Sequence, residues 1–160
     1  MGIKLTQLVP QGAIVPKLAG RERDVVVAEL VDVLIAAGAT EASLRDELIS
    51  RVLDREKRGS TGFGKGVAVP HVKHRSVSRM SVAIGLSPLG IDFAALDKQP
   101  VYCVFLLLSP EDKPEDHLRA MEVIFKSLSK ETFRRFLRQS GTVEDVRGLL
   151  EEADGQQFAN

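Results

Sequence analysis

Three histidines and one glycine-rich run carry the residue types and spacing from which chemistry could be built: His71, His74, His117 and the stretch Gly59-Ser60-Thr61-Gly62-Phe63-Gly64-Lys65-Gly66. Four glycines in eight residues let the main chain turn tightly and bring its amides close to an anion. The same composition also suits a plain helix-to-strand connection. Gly59 to Lys65 fits the G-x-x-x-x-G-K spacing of a nucleotide phosphate loop, but Gly66 stands where the magnesium-holding hydroxyl belongs. The order is also reversed, with a helix before the loop and a strand after it. Gly62 and Gly64 begin a dinucleotide fingerprint that Val67 leaves incomplete. Neither nucleotide reading is retained, and no cofactor is expected.

The run leads directly into Val67-Ala68-Val69-Pro70-His71. Pro70 fixes its own φ and pushes Val69 towards extended geometry, so His71 is expected at a strand edge, facing the glycine loop. A neutral imidazole has one basic nitrogen while its N–H is held elsewhere, which suits a nucleophile, a base or a ligand. Pro114 is placed to be the first residue of a helix, which puts His117 in its opening turns, beside unpaired amides and the positive dipole end. Phosphate suits such a place. His74 would complete a three-histidine metal site, but no carboxylate pair or thiol fills out a recognisable ligand pattern, and no metal is expected. Cys103, within a wholly apolar run, reads as a core thiol. No G-x-S-x-G elbow is present.

These residues need elements to hold them. Val27, Leu30, Val31 and Leu34 mark one face of a helix over Arg21 to Ala37, stopped by Gly38. Thr40 is expected to cap a second helix along Leu44, Leu48 and Val52, ending in Arg55-Glu56-Lys57-Arg58, where basic residues complement the helix dipole. The period then changes. Val67 to Val69 is a short strand, and Met80, Val82, Ile84 and Leu86 alternate as in a half-buried one. Pro88 to Gly90 and Asp97 to Pro100 read as turns, and Val101 to Leu108 as a central strand covered on both faces. A helix with a buried stripe of Leu118, Met121, Ile124, Phe125 and Leu128 follows, then shorter helices around Phe133 to Leu137 and Val143 to Leu150. The pattern predicts an α/β single domain, a mixed β-sheet flanked by helices on both faces.

Composition narrows the function classes. The chain has 160 residues, against about 150 for a typical domain. Lys plus Arg and Asp plus Glu both number 22, so nothing in the net charge points to nucleic acid or to an anionic membrane. The longest apolar run is far short of the roughly 20 residues a membrane-spanning helix needs. A single cysteine allows no intrachain disulfide, which fits a cytoplasmic protein. Met1-Gly2-Ile3-Lys4-Leu5-Thr6 fits a myristoylation template, but chance meets so short a pattern easily and no polybasic run adds a second anchor.

Arg55 to Gly64, with Val67-Ala68-Val69-Pro70-His71, resembles the active-site signature of enzyme IIA domains of the phosphoenolpyruvate phosphotransferase system. The resemblance is to the fructose/mannitol class, most like its nitrogen-regulatory (PtsN) branch. It extends through Ile91-Asp92-Phe93, Asp97 to Val101 and His117-Leu118, covering roughly residues 40 to 150. It implies a phosphocarrier in which His71 accepts a phosphoryl group from the phosphohistidine of HPr, with His117 as second active-site histidine and Arg55 near the phosphate. Ser60, Thr61 and the amide of Gly62 are candidates for further phosphate hydrogen bonds. The chain departs from the family at Val72, where a small residue is usual and a branched one would narrow the donor's approach. The resemblance leaves three roles open: a regulator acting on a target protein, a sugar-transport component passing phosphate to a separate IIB carrier, and a binding module that is not itself phosphorylated. The chain is expected to divide into an arm or edge strand over residues 1–20, which include Pro10 and Pro16, an enzyme IIA-like domain over 21–154 and a polar tail over 155–160.

Overall fold

A computed structural model describes residues 3–155. The Gly2 lipidation pattern and the tail beyond Gly155 lie outside the described residues. Of the elements, α1 is Leu5–Leu8, β1 Ile14–Val15, α2 Arg23–Ala36, α3 Arg45–Arg58, β2 Val67–Ala68, β3 His71–His74, β4 Ser81–Ile91, β5 Val101–Pro110, α4 Pro114–Leu128, α5 Glu131–Gln139 and α6 Val143–Asp154.

β5 is the spine of a mixed five-stranded sheet. Every residue from Cys103 to Pro110 is buried, as an almost continuous apolar run requires when helices cover both faces. β4 pairs antiparallel on one side of it, with Ile84 opposite Phe105, and β1 adds a short parallel edge beyond β4. On the other side β2 and β3 both run parallel to β5, Val67 beside Cys103 and His71 beside Leu107, in one continuous register. Pro70 therefore interrupts a single edge strand, as expected of a residue without an N–H, and its carbonyl still accepts from Leu107 N at 2.9 Å. Helices α2 and α3 pack together on one face, and α4, α5 and α6 form the other layer with α1. Among the described residues no helix is long and apolar enough to cross a membrane.

Four local expectations are corrected. β4 is buried on both faces from Ser81 to Ser87, because Ser81, Ala83 and Gly85 are small enough to admit close neighbours. At Gly85 an added Cβ would lie 2.7 Å from Cδ2 of Leu18. Pro88 to Gly90 is not a turn but part of β4, where the pairing slips between Leu86 and Ile91; a proline and a glycine are tolerated at such a bulge. Thr40 does not cap α3, which starts at Arg45 after a 3₁₀ turn over Ala42–Leu44. The buried stripe of α4 runs through His117, Ala120, Ile124 and Leu128, leaving Leu118 61% exposed.

Residues 3–20 supply α1 and the edge strand β1. The carboxylate of Asp154 accepts from the amides of Leu5 and Thr6 at 2.7 and 3.1 Å and from the Thr6 hydroxyl at 2.6 Å. The start of α1 is thereby fastened to the end of α6.

Candidate active site

His71 opens β3 immediately after Pro70, and its ring turns back onto the chain, with Nδ1 2.9 Å from the carbonyl oxygen of Val69. A carbonyl oxygen can only accept, so Nδ1 carries the ring proton and Nε2 keeps its lone pair. Burial lowers the His71 pKa below the ordinary 6.5, the Val69 hydrogen bond opposes that, and the nearby Arg55 charge adds to the lowering. The ring is neutral at pH 7 with a bare Nε2.

His117 comes to it from the other layer. Pro114 occupies the first helical position of α4, and the core-facing stripe starting at His117 turns its imidazole inward. The two rings stand 5.5 Å apart between centroids, inclined at 57°. Nδ1 of His117 lies 2.7 Å from Oγ of Ser109. Burial, then the proximity of His71 and Lys73, lowers the His117 pKa to about 4. Two neutral rings can sit this close without charge repulsion.

Both line a cleft of about 580 Å³ at the open edge of the sheet. Helix α3 contributes Arg51, Arg55 and Arg58, spaced so that one helical face carries all three, and β3 adds Lys73. Asp54 and Glu111 are the acids in the lining, so cations outnumber carboxylates by four to two. Nη1 of Arg55 donates to the carbonyl of Gly59 at 2.8 Å, and Nη2 of Arg51 lies 3.2 Å from the Glu47 carboxylate. These contacts leave guanidinium N–H groups available to an anion.

His71, His117 and Arg55 meet in this cleft; Ser60, Thr61 and Gly62 are outside its lining. Ser60 Oγ accepts from Gly62 N at 3.0 Å and donates to the Phe93 carbonyl at 3.4 Å. Thr61 donates through both amide and hydroxyl to the buried carboxylate of Glu56. The Gly62 carbonyl accepts from Leu96 N at 2.7 Å, and a Cβ there would meet that of Ala95 at 2.9 Å. The loop thus docks onto residues 92–97, and it braces the segment before His71 through the Thr61 carbonyl, which accepts from Val69 N at 3.3 Å. Gly62 answers close packing against Ala95, and Gly64 and Gly66 adopt positive φ angles of 118° and 79° that favour glycine; the His71 ring stands beside that of His117.

Side chains alternate along β3, so Val72 and His74 point to the buried side, away from His71 and Lys73. Val72 is 6% exposed, and it still contributes to the lining of the cleft beside His71. His74, 2% exposed, accepts at Nδ1 from Ser76 N at 2.9 Å and donates from Nε2 to Glu47 at 2.5 Å. Both of its nitrogens are engaged there.

The family model described as "Phosphoenolpyruvate-dependent sugar phosphotransferase system, EIIA 2" matches residues 7–153. The chain belongs to that family. The fructose-specific EIIABC component of Bacillus subtilis is 31% identical over 95% of the chain, which spans about a quarter (24%) of that protein's length. A nitrogen regulatory protein of Bradyrhizobium diazoefficiens is 34% identical, covering 91% of the chain and 94% of the relative. The fructose-specific EIIA component of Haloferax volcanii is 35% identical over 77% of the chain and 79% of its own length. The crystal structure of nitrogen regulatory protein IIA-Ntr from Neisseria meningitidis superposes with a TM-score of 0.79 at 31% identity, over 91% of this chain and 98% of that one. Enzyme IIA for mannitol from Escherichia coli, solved in complex with phosphorylated enzyme IIB, shares the fold at a TM-score of 0.75 and 20% identity.

Several cleft residues of this EIIA 2 chain were missed from sequence. Arg51 and Arg58 repeat with Arg55 at helical spacing, a signal that was present but masked by the dipole account of the basic helix end. Lys73 follows from strand alternation once His71 is assigned to β3. Ser109, fully buried behind His117 and outside the cleft lining, had no local signal, since only folding brings the end of β5 under α4.

Proposed function

We propose that this chain is a phosphocarrier in which Nε2 of His71 accepts a phosphoryl group from the phosphohistidine of an HPr-type protein in the cytoplasm. The observation that carries this is the hydrogen bond from Nδ1 of His71 to the Val69 carbonyl, which leaves a bare Nε2 in a cleft of excess positive charge beside a second imidazole. In the transfer, Nε2 attacks phosphorus, the donor's N–P bond breaks, and its electron pair returns to the donor ring. His71 needs no base, because Nε2 carries no proton to lose. The ring gains positive charge as the bond forms, and the Val69 carbonyl, accepting from Nδ1–H, stabilises that charge. Transfer between two imidazoles depends on in-line positioning and on neutralising the equatorial oxygens more than on proton abstraction. Arg55, Arg51 and His117 are the groups placed for that neutralisation. Ser60, Thr61 and Gly62 support the segment that presents His71.

The nitrogen-regulatory relatives support a regulatory role, in which the phosphorylation state of His71 governs binding to a target protein. The fructose-specific relatives and the mannitol IIA solved with phosphorylated IIB favour a second reading, onward transfer to a separate IIB carrier. Incubation with phosphoenolpyruvate, enzyme I and HPr, followed by intact mass measurement, tests the shared step. One added phosphoryl group is expected on the parent and none on His71→Ala, and equal labelling of both would overturn the assignment. Adding a fructose- or mannitol-type IIB protein separates the roles, since a regulator keeps its label and a transport component loses it.

A further inference from the structure

Ser109 is fully buried at the end of β5, next to Lys73 of β3, with its hydroxyl oxygen 2.7 Å from Nδ1 of His117. Among the described residues that hydroxyl makes no second hydrogen bond. The contact can run in two directions, and they differ in what they leave behind. If Nδ1 donated, the Ser109 proton would be buried with no acceptor, which is costly. If Ser109 donates, its one proton is used and the ring proton of neutral His117 must sit on Nε2.

We propose that Ser109 is a positioning residue for phosphoryl transfer: its hydroxyl donates to Nδ1 of His117, so that His117 turns Nε2–H towards the cleft as a donor to a phosphoryl oxygen beside His71. This rests on the reading of His71 as phosphoacceptor. The two imidazoles then hold opposite tautomers. His71 has its proton on Nδ1, against the Val69 carbonyl, and attacks through Nε2. His117 has its proton on Nε2 and does not react. The reversed tautomer of His117 would aim a lone pair at the phosphoryl oxygens and repel them. Ser109 also restrains the orientation of the ring, which stands 5.5 Å from that of His71 between centroids.

Two measurements on the full chain test this. Long-range proton–nitrogen NMR of the resting protein at pH 7 reads each ring's tautomer without any transfer. The expected result is Nε2 protonated on His117 and Nδ1 protonated on His71; a proton on Nδ1 of His117 overturns the proposal. The second measurement is the rate of phosphoryl uptake from phosphorylated HPr. Ser109→Ala should slow uptake about tenfold, the worth of one hydrogen bond, and move the His117 ring signals while leaving those of His71 in place. Ser109→Thr, which keeps the hydroxyl, should recover most of the rate. Uptake by Ser109→Ala at the parental rate overturns the role of Ser109 while leaving His71 as acceptor. A parent protein that takes no label overturns the phosphoacceptor reading, and the positioning role with it, whatever the tautomers are.

Discussion

At the scale of single residues, chemistry here depends on which of two similar rings holds its proton where. The Val69 carbonyl makes His71 a nucleophile through Nε2, and burial with Arg55 nearby lowers its pKa below 6.5. The sign follows directly: acidification puts a proton on the attacking nitrogen. The rate of uptake from phospho-HPr should stay level from mildly alkaline pH down past 6.5 and fall only at more acidic values. A midpoint above 6.5 in a pH–rate profile would contradict the lowered pKa. His117 is placed to stabilise charge rather than to react, so His117→Ala should cut the uptake rate by about 10²-fold, as loss of one preorganised donor does elsewhere. Far-ultraviolet circular dichroism should show its fold intact. An unchanged rate would make the ring a bystander.

At the scale of elements, the edge strand broken by Pro70 and the Pro-started helix α4 bring residues 46 positions apart in sequence to a ring separation of 5.5 Å. Much of this was legible beforehand. The apolar run of β5, the proline before His71 and the proline opening α4 each have one local physical meaning, and the fold class followed from their order. What was not legible depended on neighbours. Leu118 was assigned to the α4 stripe because it is apolar, yet the buried face is set by what α4 packs against, and that face includes His117. The loop glycines looked like a phosphate cradle because glycine serves close approach and left-handed backbone of any kind; here Gly62 packs on Ala95, and Gly64 and Gly66 take positive φ. Gly85 makes the same point within β4, where Leu18 fills the space a side chain would take. Gly85→Ala should therefore lower unfolding stability by roughly 1–3 kcal/mol, the usual cost of overpacking a core. Urea denaturation measures this, and a neutral result would mean that Leu18 moves aside freely.

For the molecule as a whole, the imidazole pair couples stability to pH. His117 has a pKa of about 4 in the fold against 6.5 as the ordinary value, so the unfolded chain takes up a proton first as pH falls. Its contribution is fully present above 6.5 and is lost progressively between 6.5 and about 4. His71, lowered in the same direction, adds to the loss below 6.5. Glu47, whose pKa is held below 4.5 chiefly by its hydrogen bond with His74, adds a loss that begins only at more acidic pH. Urea midpoints followed from pH 7 to about 4 should thus decline, and His117→Gln should flatten the part of the decline that lies above the carboxylate range. A parental slope in that variant would show that other groups set the acid sensitivity. The cleft pays for its function in this way: two rings kept neutral and close at pH 7 are a liability in acid.

Location of the phosphate is the most direct test of the account. After incubation with phosphoenolpyruvate, enzyme I and HPr, phosphorus–nitrogen NMR correlation on the intact protein should show one phosphoryl group, bonded to Nε2 of His71. Phosphate on Nδ1 of His71, on His117 or on any other side chain would contradict it.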